Sequence, residues 1–293
     1  MVKLLRRITL AMFVVMLLAF VVFSVIDRIK TDTTHPIISI ETNSDKNADD
    51  AVAPGVSVED DVLEISVKDK EEALLQGVTA YDAKDGDISE IVCVESVSKF
   101  IEPGLFTVTY AVMDSDKHVT KATRMVRYTD YTTPEFYMKR ALVYSVDEAL
   151  DVRAAVGARD CIDGDISDRV AIVATDYIRS TVGVFTVSLQ VSNSMGDSIY
   201  LDVTVHVEGN ETMAPEIQLK NSLIYVKKGE TPKFEDYLGD VTVNGVLMKP
   251  EDIELMISTN YDADNPGTYN VHYYISTDEG YEGHSILTVV VEE

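Results

Sequence analysis

Tryptophan is absent from this chain of 293 residues, and cysteine occurs only at Cys93 and Cys161. Two thiols cannot supply a disulfide framework, so its domains must be held by packing. The pair reads as two buried thiols, with one inter-repeat disulfide as the alternative. Lack of Trp weakens the case for a sugar-stacking site, although Tyr can also stack. Basic residues are scarce as well: beyond residue 30 the chain carries 20 Lys and Arg against 49 Asp and Glu, a formal charge near −29. Such a surface repels nucleic acid and anionic lipid headgroups, which excludes both as expected partners, and it attracts cations. There is no G-x-x-x-x-G-K-[ST], H-E-x-x-H or G-x-S-x-G pattern, so no enzyme is expected. The five histidines, His35, His118, His206, His272 and His284, are scattered in sequence. His272 alternates with apolar neighbours and reads as a solvated residue on the polar face of a strand.

What is present begins with one apolar run. Residues 8–26, ITLAMFVVMLLAFVVFSVI, contain no charge, Pro or Gly. At ~1.5 Å per residue a helix of this length spans about 28 Å, close to the bilayer hydrocarbon core. Its backbone hydrogen bonds are satisfied internally, as lipid requires. A cleaved signal peptide would need a shorter core and small residues before the cut; this run ends on Ser24, Val25, Ile26, Asp27, Arg28 and favours an uncleaved anchor. Lys3, Arg6 and Arg7 precede it, which places residues 1–7 in the cytoplasm and everything after the span outside the cell. The expected location is thus the plasma membrane, with single-pass attachment through the N-terminal helix.

Self-similarity then sets the organisation. YDAKDGDIS at 81–89 recurs as RDCIDGDIS at 159–167. PGLFTVTYAVMDS at 103–115 recurs as VGVFTVSLQVSNS at 182–194 and as PGTYNVHYYISTD at 266–278. The repeats run over 33–129, 132–208 and 212–293, the third being divergent. Residues 41–55 lack periodicity and read as a flexible segment. Phe106, Val108, Tyr110 and Val112 alternate with polar or small residues, as do Phe185, Val187, Leu189 and Val191, and then Tyr269, Val271, Tyr273 and Ile275. A period of two with one apolar face predicts half-buried strands. About seven short strands per unit predict an all-β chain of tandem β-sandwiches. KEEALLQGV and DEALDVRAAV are each expected to add one helical turn. Tyr128, Tyr131 and Tyr137, around the first linker, are read as packing a junction.

These patterns resemble the bacterial immunoglobulin-like repeats of surface proteins and pesticidal crystal-type proteins. That signature has a Pro-led first strand, an A-x-D-x-x-D-G-D-[IL]-[ST] corner and a G-x-[FY]-x-V-x-[FY]-x-V-x-[DN] strand. Repeat 1 matches it with Ala80, Asp82, Asp85, Gly86, Asp87, Ile88 and Ser89, then with Gly104 through Asp114. Repeat 2 does so with Ala158, Asp160, Asp163, Gly164, Asp165, Ile166 and Ser167, then with Gly183 through Asn193. Repeat 3 keeps Pro215 and the Gly267–Val271 strand but has no D-G-D. The resemblance implies Ig-like, non-catalytic extracellular modules and names no ligand.

The acidic corners are the sharpest chemistry in the sequence. Asp82, Asp85 and Asp87, with Asp114 from the following hairpin, and Asp160, Asp163 and Asp165 are hard oxygen ligands that suit Ca²⁺. Calcium there would stiffen one repeat against the next. Turn chemistry is the competing account: Asp-Gly is an ordinary turn signal, and Asp side chains cap backbone N–H groups without further ligands. No other cofactor is expected. The functional expectation is a surface adhesion or ligand-interaction rod for an extracellular protein or glycan, roughly 100 Å long if the units lie end to end. The alternative is an envelope accessory that scaffolds a membrane-bound polysaccharide or secretion system.

Overall fold

The computed structural model describes residues 12–23, 34–41, 62–209 and 215–293. Most of the predicted 41–55 segment lies outside these residues. Residues 12–23 are helical with exposed side chains, and among the described residues no helix is long and apolar enough to cross a membrane. Residues 8–11 and 24–26 of the predicted span also lie outside the described set. The chain divides into two compact units, Met1–Asp130 and Tyr131–Glu293.

From residue 34 onward the described residues are mostly strands. In the first unit these are β1 (Ile37–Ile40), β2 (Val62–Ile65), β3 (Val78–Asp82), β4 (Gly86–Asp87), β5 (Cys93–Val97), β6 (Leu105–Met113) and β7 (Val119–Tyr128). They form two sheets, ordered β1-β3-β4 and β2-β7-β6-β5. β2 runs parallel to β7, and the other pairings are antiparallel. The predicted alternation is realised in β6, where Phe106, Val108, Tyr110 and Val112 are all buried. Tyr110 meets the polar requirement of a buried phenol by donating to the Leu74 carbonyl at 2.7 Å.

The second unit contains the same plan twice. β8 (Glu135–Met138), β9 (Val143–Ser145), β10 (Val156–Asp160), β11 (Gly164–Asp165), β12 (Ala171–Thr175), β13 (Gly183–Ser192) and β14 (Ser198–Glu208) are ordered β11-β10-β8 and β12-β13-β14-β9. β15 (Glu216–Leu219), β16 (Leu223–Lys227), β17 (Leu238–Val243), β18 (Val246–Leu247), β19 (Ile253–Thr259), β20 (Gly267–Thr277) and β21 (Glu282–Glu292) are ordered β15-β17-β18 and β16-β21-β20-β19. The helical turns expected from the sequence are a 3₁₀ turn at Glu71–Leu75 and an α turn at Val152–Ala155, the latter capped by Asp151.

Repeat 3 reaches the shared topology without the acidic corner. Where the other repeats place D-G-D, Asn244 and Gly245 both take positive φ between β17 and β18, a two-residue hairpin turn. The Met248 N–H still reaches back to the Val241 carbonyl at 2.9 Å, just as Ile88 reaches Ala80 and Ile166 reaches Ala158.

Inside the second unit the two sandwiches share buried surface. Leu223 belongs to the core formed by Phe136, Val156, Leu189 and Val205, and Tyr225 and Val290 pack against it. The Tyr225 hydroxyl accepts the Phe136 N–H at 3.2 Å. β21 is consequently buried along both faces from Ser285 to Val289. Gly283 lets β21 pass close to the chain at Pro215; a Cβ there would lie 2.3 Å from the Pro215 carbonyl oxygen.

The thiols do not lie where the sequence reading put them. Cys93 and Cys161 are both exposed and free, because each sits at the edge of a sandwich and not on a core-facing strand position. The Cys161 sulfur is held against the Thr132 carbonyl at 3.2 Å.

Candidate functional site

The two acidic corners are nearly superposable in their bonding. Asp82 Oδ1 accepts the N–H groups of Lys84 and Asp85, each at 2.9 Å, and Asp160 Oδ1 accepts those of Ile162 and Asp163 at the same distances. These bonds close a turn that Gly86 and Gly164 complete at φ 78° and 73°. Asp87 Oδ1 then accepts the Ser89 N–H at 3.0 Å and its hydroxyl at 2.6 Å; Asp165 does the same with Ser167 at 3.0 and 2.5 Å. The serine hydroxyl in turn accepts the N–H of Ala80 or Ala158. The Ala, the first and last Asp, the Gly and the Ser of the A-x-D-x-x-D-G-D-I-S string thus each have a local task in the turn. The hydroxyl bonds of Ser89 and Ser167 hold the Asp87 and Asp165 carboxyls below the usual carboxylate range.

The middle aspartate of each corner ties it to the penultimate hairpin. Asp85 accepts the N–H and hydroxyl of Ser115, each at 2.8 Å, and Lys84 pairs with Asp116 at 2.7 Å. Asp163 accepts the Ser194 N–H at 2.6 Å and pairs with Arg169. Burial pushes the Asp163 carboxyl up, but Ser194 and Arg169 outweigh it and leave it lowered. Corner and hairpin turn therefore share one end of each sandwich.

The corners also differ at the second oxygen of their first aspartate. Asp160 Oδ2 accepts from Asn193 Nδ2 at 3.1 Å, and the same amide donates to the Tyr131 hydroxyl at 2.9 Å. The Tyr131 hydroxyl donates to Asp197 at 2.6 Å, so this tyrosine closes the corner of its own repeat. In repeat 1 the position matching Asn193 is Asp114. Its carboxylate accepts the His118 N–H at 2.7 Å and meets His118 Nδ1 at 2.8 Å. Burial raises the Asp114 pKa, yet the His118 bonds leave it lowered. Asp82 Oδ2 is buried with no hydrogen-bond partner among the described residues.

A second constellation was missed by the sequence reading. His206 on β14, His272 on β20 and His284 on β21 come together where repeat 2 meets repeat 3, and a ring nitrogen of each lies within 4.8 Å of the others. His272 Nδ1 is 3.0 Å from His284 Nε2. His284 Nδ1 meets Glu208 Oε1 at 2.5 Å. The His206 ring packs edge-on at 5.2 Å from each of the other two, and Tyr274 stacks on His284 at 4.6 Å. His272 is therefore not a solvated residue: the polar face of β20 is covered by the polar face of β14. Asn270 donates to the Thr204 hydroxyl at 2.9 Å along the same seam. Burial and the neighbouring imidazoles lower the His206 pKa to about 4, and burial lowers that of His272. The hydrogen bond from His284 holds the Glu208 carboxyl below its ordinary value. Beside His284 and Glu208 opens a cleft of about 610 Å³, lined also by Arg140, Tyr144, Glu148 and Glu282. One signal was available in advance. Residues 286–291, ILTVVV, do not alternate, and a non-alternating apolar strand is covered on both faces.

No family model matches the chain. It is 26% identical over 177 residues to an uncharacterized 81.3 kDa protein of Acholeplasma phage L2, a stretch covering 58% of this chain and 22% of that protein. It is 28% identical over 140 residues to the pesticidal crystal protein Cry22Aa of Bacillus thuringiensis, covering 46% and 18%. The chain thus spans about a fifth of the length of the curated relatives it matches. Among solved structures it is similar to the CBM51-2 and INT domains of Clostridium perfringens ZmpB, with TM-score 0.27 and 20% identity over 48% of this chain and 29% of that one. Drosophila N-cadherin EC1-4 aligns at TM-score 0.21 and 12% identity over 73% and 63%.

Proposed function

We propose that this chain is a non-catalytic surface-interaction protein: tandem Ig-like sandwiches held outside the cell by the apolar segment 8–26. The observation that supports this reading most directly is the threefold recurrence of one seven-strand plan. Its motif residues are engaged in building turns, which leaves broad strand and loop surfaces to meet a partner. The distant similarity to a pesticidal crystal protein is in keeping with it. Crosslinking on intact cells, followed by capture of the full chain, is the test. An adhesion role predicts capture of an extracellular protein or glycan and loss of that capture when residues 212–293 are deleted. Recovery of a membrane complex whatever the state of repeat 3 would instead support the envelope-accessory role.

Calcium at the acidic corners is a separate proposal, and the two corners support it unequally. Only the corner of repeat 1 presents a buried carboxylate oxygen, Asp82 Oδ2, without a partner among the described residues. Calcium at millimolar concentration is expected to raise the melting temperature of the chain more than magnesium does, and Asp82→Asn to abolish the difference. Equal melting in the two ions would remove calcium from the corner.

A further inference from the structure

The seam between repeats 2 and 3 brings together three side chains of one chemical kind from three strands. Neutral imidazole offers one donor and one acceptor nitrogen, and three rings facing one another satisfy each other poorly. The bonding bears this out. Glu208 accepts a hydrogen bond from His284 Nδ1–H, so His284 Nε2 carries the free lone pair. His272 Nδ1 lies 3.0 Å from that lone pair and must carry the proton between them. His206 makes ring contacts with both but no side-chain hydrogen bond among the described residues. Two positions from His272, Asn270 Oδ1 is buried without a partner as well.

We propose that His206, His272 and His284 form a binding site for a divalent transition-metal ion of the Zn²⁺ class, which fastens repeat 2 to repeat 3. Imidazole nitrogen is the preferred protein ligand for these ions and a poor one for Ca²⁺ or Mg²⁺. Tetrahedral zinc with bonds of about 2.0–2.1 Å needs its nitrogens roughly 3.3 Å apart. The three nitrogens already lie within 4.8 Å, and ring rotations close the remainder. The ion takes the place of the proton between His272 and His284, and His272 then carries its single proton on the other nitrogen.

Two further features belong to a metal site. Glu208 fixes the tautomer of His284 and aims its Nε2 inward, the role a carboxylate plays behind a ligating histidine. The cleft bounded by Glu208 and His284 gives the ion a route in, and its acidic lining, with Glu148 and Glu282, attracts cations. Three protein ligands leave a fourth position for water or a donor from a partner. His206 belongs to the last strand of repeat 2, and His272 and His284 to the last two of repeat 3. The ion would therefore cross-link two sandwiches that otherwise meet through packing and the Phe136–Tyr225, Glu208–His284 and Thr204–Asn270 bonds.

The test uses the untagged full chain in detergent, stripped with a chelator, at pH 7.5. Calorimetric titration with ZnCl₂ should show one ion per chain, and the melting temperature should rise by several degrees in Zn²⁺ but not in Mg²⁺. Cobalt should give the visible absorption of a nitrogen-ligated tetrahedral ion. His206→Ala and His272→Ala should each weaken zinc at least 10-fold, and Glu208→Gln about 10- to 100-fold. His118→Ala, in the first unit, should leave the zinc affinity and stoichiometry unchanged. The proposal is overturned if the unaltered chain binds no stoichiometric zinc, a readout that depends on no variant. It is equally overturned if binding survives loss of both His206 and His272, or follows His118.

Discussion

Asp160→Ala is expected to destabilise the second unit by about 3 kcal/mol, the largest effect of any single side-chain truncation in the corners. The Asp160 side chain is buried, and one carboxylate serves three donors: the N–H groups of Ile162 and Asp163 and the amide of Asn193. Truncation strands all three where water reaches them poorly. It also releases Asn193, whose amide links Asp160 to the Tyr131 hydroxyl and hence to Asp197. Asp165 is exposed, and its donors, both on Ser167, can turn to water. Asp165→Ala should therefore cost clearly less. Denaturation of the two variants in urea, followed by tyrosine fluorescence since the chain has no Trp, makes the comparison. Equal losses would show that the buried carboxylate is not the hub of the corner. Asp160→Asn should fall between, because it keeps the Oδ1 acceptor for the two backbone donors but turns an amide toward the Asn193 amide.

The same residues show how far the sequence could be read. The strands were legible because their alternation has a single cause: Phe106, Val108, Tyr110 and Val112 all face one core, and so do Phe185, Val187, Leu189 and Val191. The turn chemistry of Asp82 and Asp160 was legible because an Asx turn is local, closed by N–H groups two and three residues on. The seam was not legible. Thr204 and His206 on β14, and Asn270 and His272 on β20, occupy the polar phase of their strands, and polar phase was equated with water. They are polar because they meet each other. Which wet face a second domain will cover is a long-range fact, and only the unbroken apolar run of β21 hinted at it. Repeat 3 shows the converse. It dropped the acidic string yet kept the strand order, because Asn244-Gly245 makes the same reversal by another route. The two thiols misled for a related reason: cysteine tends toward interiors, but Cys93 and Cys161 fall where the sandwich edge faces outward.

That covered seam makes the metal-free chain sensitive to acid. His206 has an unfolded pKa near 6.5 and a folded one lowered to about 4. It therefore takes up a proton more readily when unfolded. The stability tied to its neutral form is complete above pH about 6.5 and is lost as pH falls toward 4. Protonated His206 would face His272 and His284 across the seam, with Glu208 as the nearby anion and Tyr274 stacked behind, and Arg140, Glu148 and Glu282 lining the adjoining cleft. His272, also lowered, adds to the loss in the same direction. Because the His206 ring is partly exposed, solvent screening reduces its share to on the order of 1–2 kcal/mol. In the presence of a chelator, the melting temperature of the second unit should hold level from pH 8 to about 6.5 and then drop steeply. His206→Asn, which keeps a polar side chain but cannot titrate, should flatten that drop. If the variant instead follows the same curve as the unaltered chain, acid acts elsewhere and the imidazoles of the seam do not govern how repeats 2 and 3 hold together. A flattened curve would show that the polar strand faces of the seam set the pH range over which the two sandwiches stay joined.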